Sequence, residues 1–248
     1  MTRPFLSVVI PAYNESPNYS AGCLDPLVPF LSRQKFSWEI VFVDDGSTDD
    51  TKARLSEFCR LHPHTRLLTI PHGGKAAAVR AGILAAQGGI ILFTDFDQST
   101  PLKFCLDFIA AHRRGAAVVI GVRVHRDAGA DSLASRVRSR IFLFFVRLIA
   151  LPGIRDSQCG FKSFTRGAAA KIFSSLQVCR QNQVSGGYMG AFDVEVLFLA
   201  RKFGLAIDQL PVDWIRVPSH HLNIWREPVS MLLDTLKIRL YDILGKYG

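Results

Sequence analysis

Short apolar runs alternate with helix-like segments through the first half of this chain, and this alternation limits the folds that it can adopt. The strand-like runs are LSVVI, EIVFVD, RLLTI, IILFTD and AAVVIG, and the predicted helices between them lie at residues 25–34, 51–61, 75–87 and 102–113. Alternation of this kind is typical of a mostly parallel sheet with helices on both faces. The sequence therefore predicts an α/β fold with a doubly wound, Rossmann-like sheet.

The second half continues with a helix at residues 193–203 and a strand in AIDQLPVDWI. A final segment, residues 229–244, repeats apolar residues at helical spacing and is predicted to be an amphipathic helix. Its apolar face can pack on its own domain, dock on a membrane or form a dimer. A basic stretch at residues 131–151, with four arginines around an apolar middle, is either a buried helix or one that lies on lipid.

Composition indicates the class of protein. At 248 residues, with 48% hydrophobic and 21% charged residues, the chain can bury a full core and fits one large α/β domain. Its net charge of +9 favours an anionic partner, such as a nucleotide or an acidic membrane surface. We expect no nucleic-acid partner, because no helix-turn-helix, zinc-finger or RNA-binding motif accompanies the charge. The sequence does not specify an oligomeric state.

Cysteine usage and hydropathy indicate the compartment. The five cysteines are widely spaced and form no C-x-x-C pair, so neither a disulfide framework nor a zinc site is expected. The first apolar run ends at Pro11, too early for a signal peptide, and the longest apolar segment, residues 141–151, is too short to cross a bilayer. We therefore expect a cytoplasmic protein, peripheral on the cytosolic face of a membrane and without a spanning segment.

Two carboxylates, Asp95 and Asp97, follow a buried strand directly in the segment IILFTDFDQSTP. An Asp-x-Asp pair at the carboxyl end of a strand places hard oxygen ligands at the edge where α/β sheets bind ligands. The pair predicts a divalent cation held against a diphosphate. Acidic residues are also common in solvated loops, so the other strand ends decide the interpretation.

Polar segments with the same placement follow the first three strands. In PAYNES, Tyr13 can stack on a base and Glu15 can accept ribose hydroxyls, although a turn and a helix cap use the same residue types. In VDDGSTDDT, Asp44 and Asp45 can bind a base or ribose. In HGGKAAAVRAG, backbone N–H groups and Lys75 can face phosphate oxygens. This last segment is neither a Walker A loop nor a dinucleotide fingerprint, which disfavours kinases and dehydrogenases.

Together these motifs resemble the inverting family-2 glycosyltransferases of the GT-A fold, above all the glucosyl- and mannosyltransferases that use dolichyl or another polyprenyl phosphate. SVVIPAYNES, VDDGSTD, GGKAAAVRAG and TDFDQSTP resemble the family's nucleotide and metal segments. Farther along, IGVR, RDSQCGFK, FDVEVLFLARKFG and a closing P-x-x-x-x-N-x-x-R-E pattern extend the resemblance over nearly the whole chain. Because DSQCGFK is nearer to the glucosyltransferase branch, the resemblance favours UDP-glucose over GDP-mannose as the donor.

The resemblance implies a role for each matching residue. A single domain over residues 1–248 would bind the nucleotide sugar with residues 1–125 and the acceptor with residues 126–248, including its amphipathic helices. Asp95 and Asp97 would hold Mg²⁺ or Mn²⁺, and Arg123 and Arg226 would contact phosphates of donor or acceptor. The nucleoside pocket would be formed by Pro11, Tyr13, Glu15 and one or both of Asp44 and Asp45, and would be completed by Lys75 and Asp95.

The chain departs from the family pattern at three positions. Ser99 stands where some relatives have a glutamine metal ligand, so the third protein ligand is open and water can replace it. His221 replaces a common lysine near the phosphates, which can weaken acceptor binding or make it pH-dependent, since imidazole titrates near neutrality. Leu143 stands where an asparagine is common.

The chemistry of transfer indicates which residues react. A sugar leaves its nucleoside diphosphate through an oxocarbenium-like transition state, and the departing oxygens need a metal and cations such as Arg123. A lipid phosphate is already an anionic nucleophile and needs no strong base, and in-line attack inverts the anomeric centre. A sugar hydroxyl would need a base, for which Asp156 is the candidate. Alternatively, Asp156 only orders its loop with Arg155 or Lys162.

The leading hypothesis is a metal-dependent transferase that moves a hexose, with glucose from UDP-glucose favoured, to a polyprenyl phosphate at the cytosolic membrane face. One alternative is a transferase to a sugar hydroxyl, and another is a non-catalytic nucleotide-sugar-binding protein. A sugar-phosphate nucleotidylyltransferase is disfavoured, because its usual glycine- and arginine-rich first loop is missing.

Overall fold

The computed structural model describes residues 3–125, 151–178, 191–215 and 226–248, and at residues 125 and 226–231 it describes the backbone. The strands in these ranges are β1 (Leu6–Ala12), β2 (Trp38–Asp44), β3 (Thr65–Thr69), β4 (Ile90–Phe93), β5 (Val118–His125), β6 (Lys162–Thr165) and β7 (Ile207–Trp214). The helices are α1 (Ser16–Ser20), α2 (Leu27–Ser32), α3 (Thr51–Leu61), α4 (Lys75–Ala85), α5 (Cys105–Arg113), α6 (Arg166–Ser175), α7 (Phe192–Lys202) and α8 (Arg226–Ile243).

The strands form one sheet in the order β3-β2-β1-β4-β6-β5-β7. Every neighbouring pair is parallel except those of β6, which runs antiparallel between β4 and β5. The mostly parallel α/β fold predicted from the sequence is therefore confirmed, and the predicted helices agree with the observed ones to within a few residues. The sequence did not reveal β6 or α6, because KSFT is too short to show an alternating pattern.

The helices cover both faces of the sheet, as the pleat requires. Along β1, Val9 faces a core formed with α4, α6 and α7, whereas Val8 and Ile10 face a core formed with α2, α3 and α5. Successive side chains of a strand point to opposite faces, so a strand buried on both faces reads as a continuous apolar run. The strands place their polar residues at their ends for this reason.

The sheet opens between β1 and β4, where the direction of strand succession reverses. The pairing of these two strands ends at Val9 and Phe93, whereas β1 continues beside β2 as far as Ala12. Pro11 lies in this overhang, where its lack of an N–H removes no bond to β4. Ligands of open α/β sheets bind at such a switch point, outside the carboxyl ends of the strands.

The C-terminal helix α8 exposes a row of apolar side chains and buries a mixed set of polar and apolar ones. Asp234, Thr235 and Ile238 are at most 4% exposed, and an amphipathic pattern alone does not indicate this orientation. No helix in the described ranges has both the length and the hydropathy needed to cross a bilayer. The exposed apolar residues of α8 and of the position that follows it, each 48–77% accessible, are Leu233, Leu236, Leu240, Ile243 and Leu244.

Candidate functional site

The loops after β1 and β2 are tied together at the open end of the sheet. Asn14 adopts a left-handed backbone conformation with φ 54°, and its side-chain oxygen accepts hydrogen bonds from the N–H groups of Thr48 (2.8 Å) and Asp49 (3.3 Å). The Glu15 N–H donates to Thr51 Oγ1 at 2.7 Å. Asn14 therefore has a structural role, which holds the segments PAYNES and VDDGSTD in one surface.

Asp45 fixes the glycine-rich segment rather than pointing freely into the cleft. Its two carboxylate oxygens accept hydrogen bonds from the N–H groups of Gly73 and Gly74, each at 2.8 Å. Asp44, which is fully buried, accepts from the Ser47 N–H at 3.2 Å, and its second oxygen has no hydrogen-bond partner among the described residues. An orphaned buried oxygen is costly, so Asp44 is the better placed of the two to accept a bond from a ligand.

Tyr13 stacks on His72, a residue that the sequence interpretation did not single out. The two ring centroids lie 4.2 Å apart with the planes 21° from parallel, and His72 Nδ1 lies 2.9 Å from Asp45 Oδ2. A side chain at Gly46 would press on the His72 backbone, and Gly46 has φ +69°. The stack places an aromatic surface beside the buried aspartates, as a nucleobase site requires.

Lys75 and Asp95 form an ion pair across the switch point. Lys75 Nζ lies 2.5 Å from Asp95 Oδ1, and Lys75 begins α4 directly after Gly74, whose φ is +83°. Burial alone would lower the pKa of Lys75, but the adjacent Asp95 carboxylate outweighs it and the pKa is raised. A charged lysine at a helix N-terminus is suited to contact a phosphate.

Residues 95–97 form a tight turn, and neighbouring residues fix the positions of its two carboxylates. Gln98 has φ 50°, and its N–H donates to the Asp95 carbonyl oxygen at 3.2 Å. Asp97 Oδ1 accepts from the Ser99 N–H at 2.9 Å. Gly160 lies directly against the Asp95 carboxylate, where any Cβ would overlap it. Gly160 lies inside the RDSQCGFK motif, but nothing in the sequence pattern indicates its contact with Asp95.

The two aspartates provide a partial metal site. Among the described residues, no group of three or more His, Cys, Asp or Glu side chains is arranged to hold a metal ion. Mg²⁺ commonly uses one or two protein carboxylates and completes its shell with phosphate oxygens and water. Asp95 and Asp97, with the space left by Gly160, fit that mode of binding.

Glu15 is a third carboxylate within the electrostatic reach of this pair. Burial raises its pKa to about 7, the hydrogen bond from Asn18 (2.6 Å) opposes the shift, and the negative charges of Asp97 and Asp95 add to it. Three carboxylates beside one lysine create a negative field that a divalent cation would relieve.

Arg123 and Asp156 form a two-pronged ion pair on the other side of the cleft. Arg123 Nε and its terminal nitrogen donate to the two Asp156 oxygens at 2.7 and 3.0 Å, and the Arg123 guanidinium lies 5.5 Å from the Trp214 ring centroid. Burial would raise the pKa of Asp156, but Arg123 outweighs it and the pKa is lowered. Asp156 also accepts a hydrogen bond from the Gln158 N–H at 3.1 Å, so it orders its own loop, while Lys162 forms an ion pair with Asp193.

The remaining predicted residues are less defined. Pro11 is a buried residue of β1, and Ser99 is buried beside Asp97. Arg226 begins α8, where the backbone alone is described, and His221 and Leu143 lie outside the described residues, as does the basic stretch at 131–150. The structure thus joins Tyr13, His72, Asp45, Gly73, Gly74, Lys75 and Asp95 through successive direct contacts.

Comparison with known proteins identifies the family. The model of glycosyl transferase family 2 matches residues 7–173, well over half of the chain. A dolichyl-phosphate beta-glucosyltransferase of Dictyostelium discoideum is 34% identical over 261 residues, which cover 97% of this chain and 76% of that protein. The human protein of the same name is 34% identical over 260 residues, covering 98% of this chain and 77% of its own length, and that of Saccharomyces cerevisiae is 32% identical.

Solved structures agree with the fold. Mannosyl-3-phosphoglycerate synthase from Rubrobacter xylanophilus superposes with a TM-score of 0.64 at 16% identity, over 98% of this chain and 75% of that one. A mannosyltransferase from Pyrobaculum calidifontis, in complex with GDP-Man and Mn²⁺, gives 0.60 at 19% identity over 99% and 72%. The expected GT-A fold is thereby confirmed, and the chain belongs to glycosyl transferase family 2.

Proposed function

We propose that this chain transfers glucose from UDP-glucose to dolichyl phosphate or a related polyprenyl phosphate. The observation that carries the proposal is the continuous set of contacts from Tyr13 to Asp95, which aligns an aromatic surface, buried carboxylates, a lysine and an acidic pair along the open sheet edge. A base, a ribose and a diphosphate need these groups in this order. Relatives that are 32–34% identical over nearly the whole chain are named dolichyl-phosphate beta-glucosyltransferases, which supports the glucosyl donor and the lipid acceptor.

The nucleoside end of the donor binds beside Tyr13 and Asp44. The unsatisfied Asp44 oxygen accepts a hydrogen bond from the base or ribose, and Asp45 acts indirectly by holding Gly73 and Gly74. Lys75 contacts the diphosphate when phosphate oxygens of the donor partly replace the Asp95 carboxylate as its partner.

A divalent ion, Mg²⁺ or Mn²⁺, would be held by Asp95 and Asp97 and would stabilise negative charge on the departing diphosphate. The fixed turn at Gln98 and the absence of a side chain at Gly160 keep the two carboxylates in place for it. Glu15 contributes a further negative charge when it is ionised.

The acceptor end supports an anionic nucleophile. Both oxygens of Asp156 are engaged by Arg123, and a carboxylate with a lowered pKa is a weak base. A lipid phosphate needs no base: its oxygen forms a bond to the anomeric carbon while the bond to the diphosphate breaks, and UDP leaves with the electron pair. Arg123, held in place by Asp156 and Trp214, binds the negatively charged lipid phosphate.

The exposed apolar face of α8 supports contact with the membrane that contains such an acceptor. Leu236 and Leu240 are about half exposed, and Lys237 is exposed beside them, so that the helix offers apolar and cationic groups to anionic lipid. Arg239 lies over Phe198 and Asp242 pairs with Lys202, so α8 packs against α7. With this face on the lipid, the protein would sit peripherally on the cytosolic face of the membrane.

The proposal is tested with purified protein, labelled UDP-glucose, Mg²⁺ or Mn²⁺, and dolichyl phosphate in detergent micelles. We expect an organic-soluble glucolipid and free UDP, with GDP-mannose giving at least tenfold less product. Transfer from GDP-mannose alone would revise the donor, and transfer only to soluble sugars would replace the acceptor. If UDP-glucose binds without turnover on any acceptor, the protein is a binding protein.

The metal assignment is tested with Asp97→Asn. We expect metal-dependent turnover to fall at least a hundredfold while the melting temperature stays within a few degrees. Asp107→Asn, at an exposed position of α5, is the matched control and should retain activity. Near-normal activity of Asp97→Asn would move the metal site elsewhere.

A further inference from the structure

A second lysine–carboxylate pair lies beside the first, and the reaction outlined above does not use it. Lys162, on β6, is 1% exposed, and its Nζ donates to Asp193 Oδ1 at 2.6 Å and to the Cys159 carbonyl oxygen at 2.5 Å. A buried ammonium is costly unless its donors are satisfied. Lys162 cannot itself reach a ligand, so its influence on any ligand passes through Asp193.

The pair lies at the site and not in a remote part of the core. The antiparallel register places Lys162 opposite Phe93, two residues before Asp95. Lys75 Nζ and Lys162 Nζ lie 5.9 and 5.6 Å from the centroid of the same Phe93 ring. The two lysine–carboxylate pairs therefore share one aromatic ring at the end of β4.

Asp193 is also within electrostatic reach of both cations that bracket the cleft. Its negative charge contributes to raising the pKa of Lys75, on the diphosphate side, and that of Arg123, on the acceptor side. In the proposed reaction the leaving group and the nucleophile occupy these two sides, and the transferred group lies between them.

Among the described residues, Asp193 uses one of its two carboxylate oxygens. Oδ1 is bonded to Lys162, whereas Oδ2 has no hydrogen bond within the described part of the chain, and the side chain is 20% exposed. Asp193 also sits in the first turn of α7, where the helix dipole stabilises its negative charge. An anchored carboxylate with one oxygen that no described residue contacts is an acceptor for a hydroxyl.

We propose that Asp193 accepts a hydrogen bond from a hydroxyl of the transferred hexose, with Lys162 as the positioning residue that fixes its carboxylate. This inference rests on the proposed function, since it assigns the sugar part of the same donor. It makes Asp193 a determinant of which hexose is accepted, because a site built to bind a hydroxyl discriminates strongly against an analogue that lacks it.

The test pairs Asp193→Asn with UDP-glucose and with its deoxy analogues at each hydroxyl. For wild type, we expect kcat/KM to fall about 10- to 100-fold for one deoxy donor, as expected for a hydrogen bond to a charged group. For Asp193→Asn, kcat/KM for UDP-glucose should fall by a similar factor. The ratio of kcat/KM between UDP-glucose and that one deoxy donor should be smaller than in wild type. The affinity for UDP, measured by calorimetry, should be unchanged. Equal penalties in both proteins for every analogue would overturn the proposal.

Two further variants separate a role in recognition from a role in folding. Because Asp193→Asn leaves the Lys162 ammonium without its carboxylate, the double variant Asp193→Asn with Lys162→Gln removes both charges and should show the same loss of discrimination. Lys162→Gln alone keeps a donor to Asp193 and should retain the deoxy penalty. Wild-type transfer with unaltered discrimination in the variants would refute this inference alone, whereas absence of nucleotide-sugar binding by wild type would refute the proposed function as well.

Discussion

Gly160 packs directly against the carboxylate of Asp95, although 65 residues of sequence separate them, and a methyl group on Gly160 would overlap Asp95 Oδ2. The contact arises because β6 lies antiparallel beside β4, which brings the residues just before β6 to those just after β4. A glycine is needed here for the space that it leaves. The acidic pair that the sequence predicts as a metal site is thus supported by a distant part of the chain.

Gly160→Ala should displace Asp95 and lower metal-dependent turnover by about a hundredfold, the cost typical of a misplacement near 1 Å in an active site. Steady-state rates over a Mn²⁺ titration would measure this, and we expect a weaker apparent metal affinity. Gly167→Ala is the matched control, because nothing lies within 4 Å of a Cβ at that position of α6. Equal activity of both variants would show that Asp95 needs no such space.

Glu15 should make both stability and metal binding depend on pH. Its pKa is about 7 in the folded protein against an ordinary 4.5, so the folded state keeps a proton that the unfolded chain has lost between these values. The free energy of unfolding should therefore fall as the pH rises from about 4.5 to 7, by on the order of 2 kcal/mol. Glu15→Gln should remove this slope in urea unfolding, whereas Glu57→Gln, at an exposed site, should keep it.

The same carboxyl group should release a proton when a cation binds at Asp95 and Asp97, because the added positive charge lowers the pKa of Glu15. Calorimetry of Mn²⁺ binding at pH 7 in two buffers of different ionisation enthalpy would measure the release. Identical heats in both buffers would separate Glu15 from the metal site.

Asp156→Asn should behave as the loss of an ion-pair partner and not as the loss of a base. It leaves Arg123 without its carboxylate, so we expect about 3 kcal/mol of destabilisation by urea unfolding. With a lipid phosphate acceptor, kcat measured below the melting temperature should fall less than tenfold. A loss of a thousandfold or more with unchanged stability would instead identify Asp156 as the general base and favour a hydroxyl acceptor.

The apolar face of α8 should bind anionic vesicles. Replacing both Leu236 and Leu240 with asparagine removes side chains that are about half exposed, so we expect little loss of stability but vesicle affinity reduced about 10- to 100-fold. Co-sedimentation with phosphatidylserine vesicles measures this. Leu61→Asn, on α3 and 57% exposed, is the control. Unchanged vesicle binding together with a change of oligomeric state would assign the face to a protein partner.

The fold was predictable to the extent that local patterns encode it. The parallel strands, most helices and the strand-end segments with Tyr13, Lys75 and the acidic pair all follow from periodicity and turn chemistry. β6 was missed because four residues carry no period, and its antiparallel insertion is a property of the whole sheet. The α8 pattern was recognised, but a pattern alone cannot indicate whether an apolar face is covered.

The sequence by itself determined which chemical groups stand at the strand ends, because a strand buried on both faces can carry polar residues only where it leaves the sheet. Only the tertiary structure decided how those groups are partnered. Arg123 with Asp156, Lys162 with Asp193 and Gly160 with Asp95 each join segments more than 30 residues apart. Such pairings depend on strand order and packing, since charges and glycines in sequence carry no record of the segment that will lie against them.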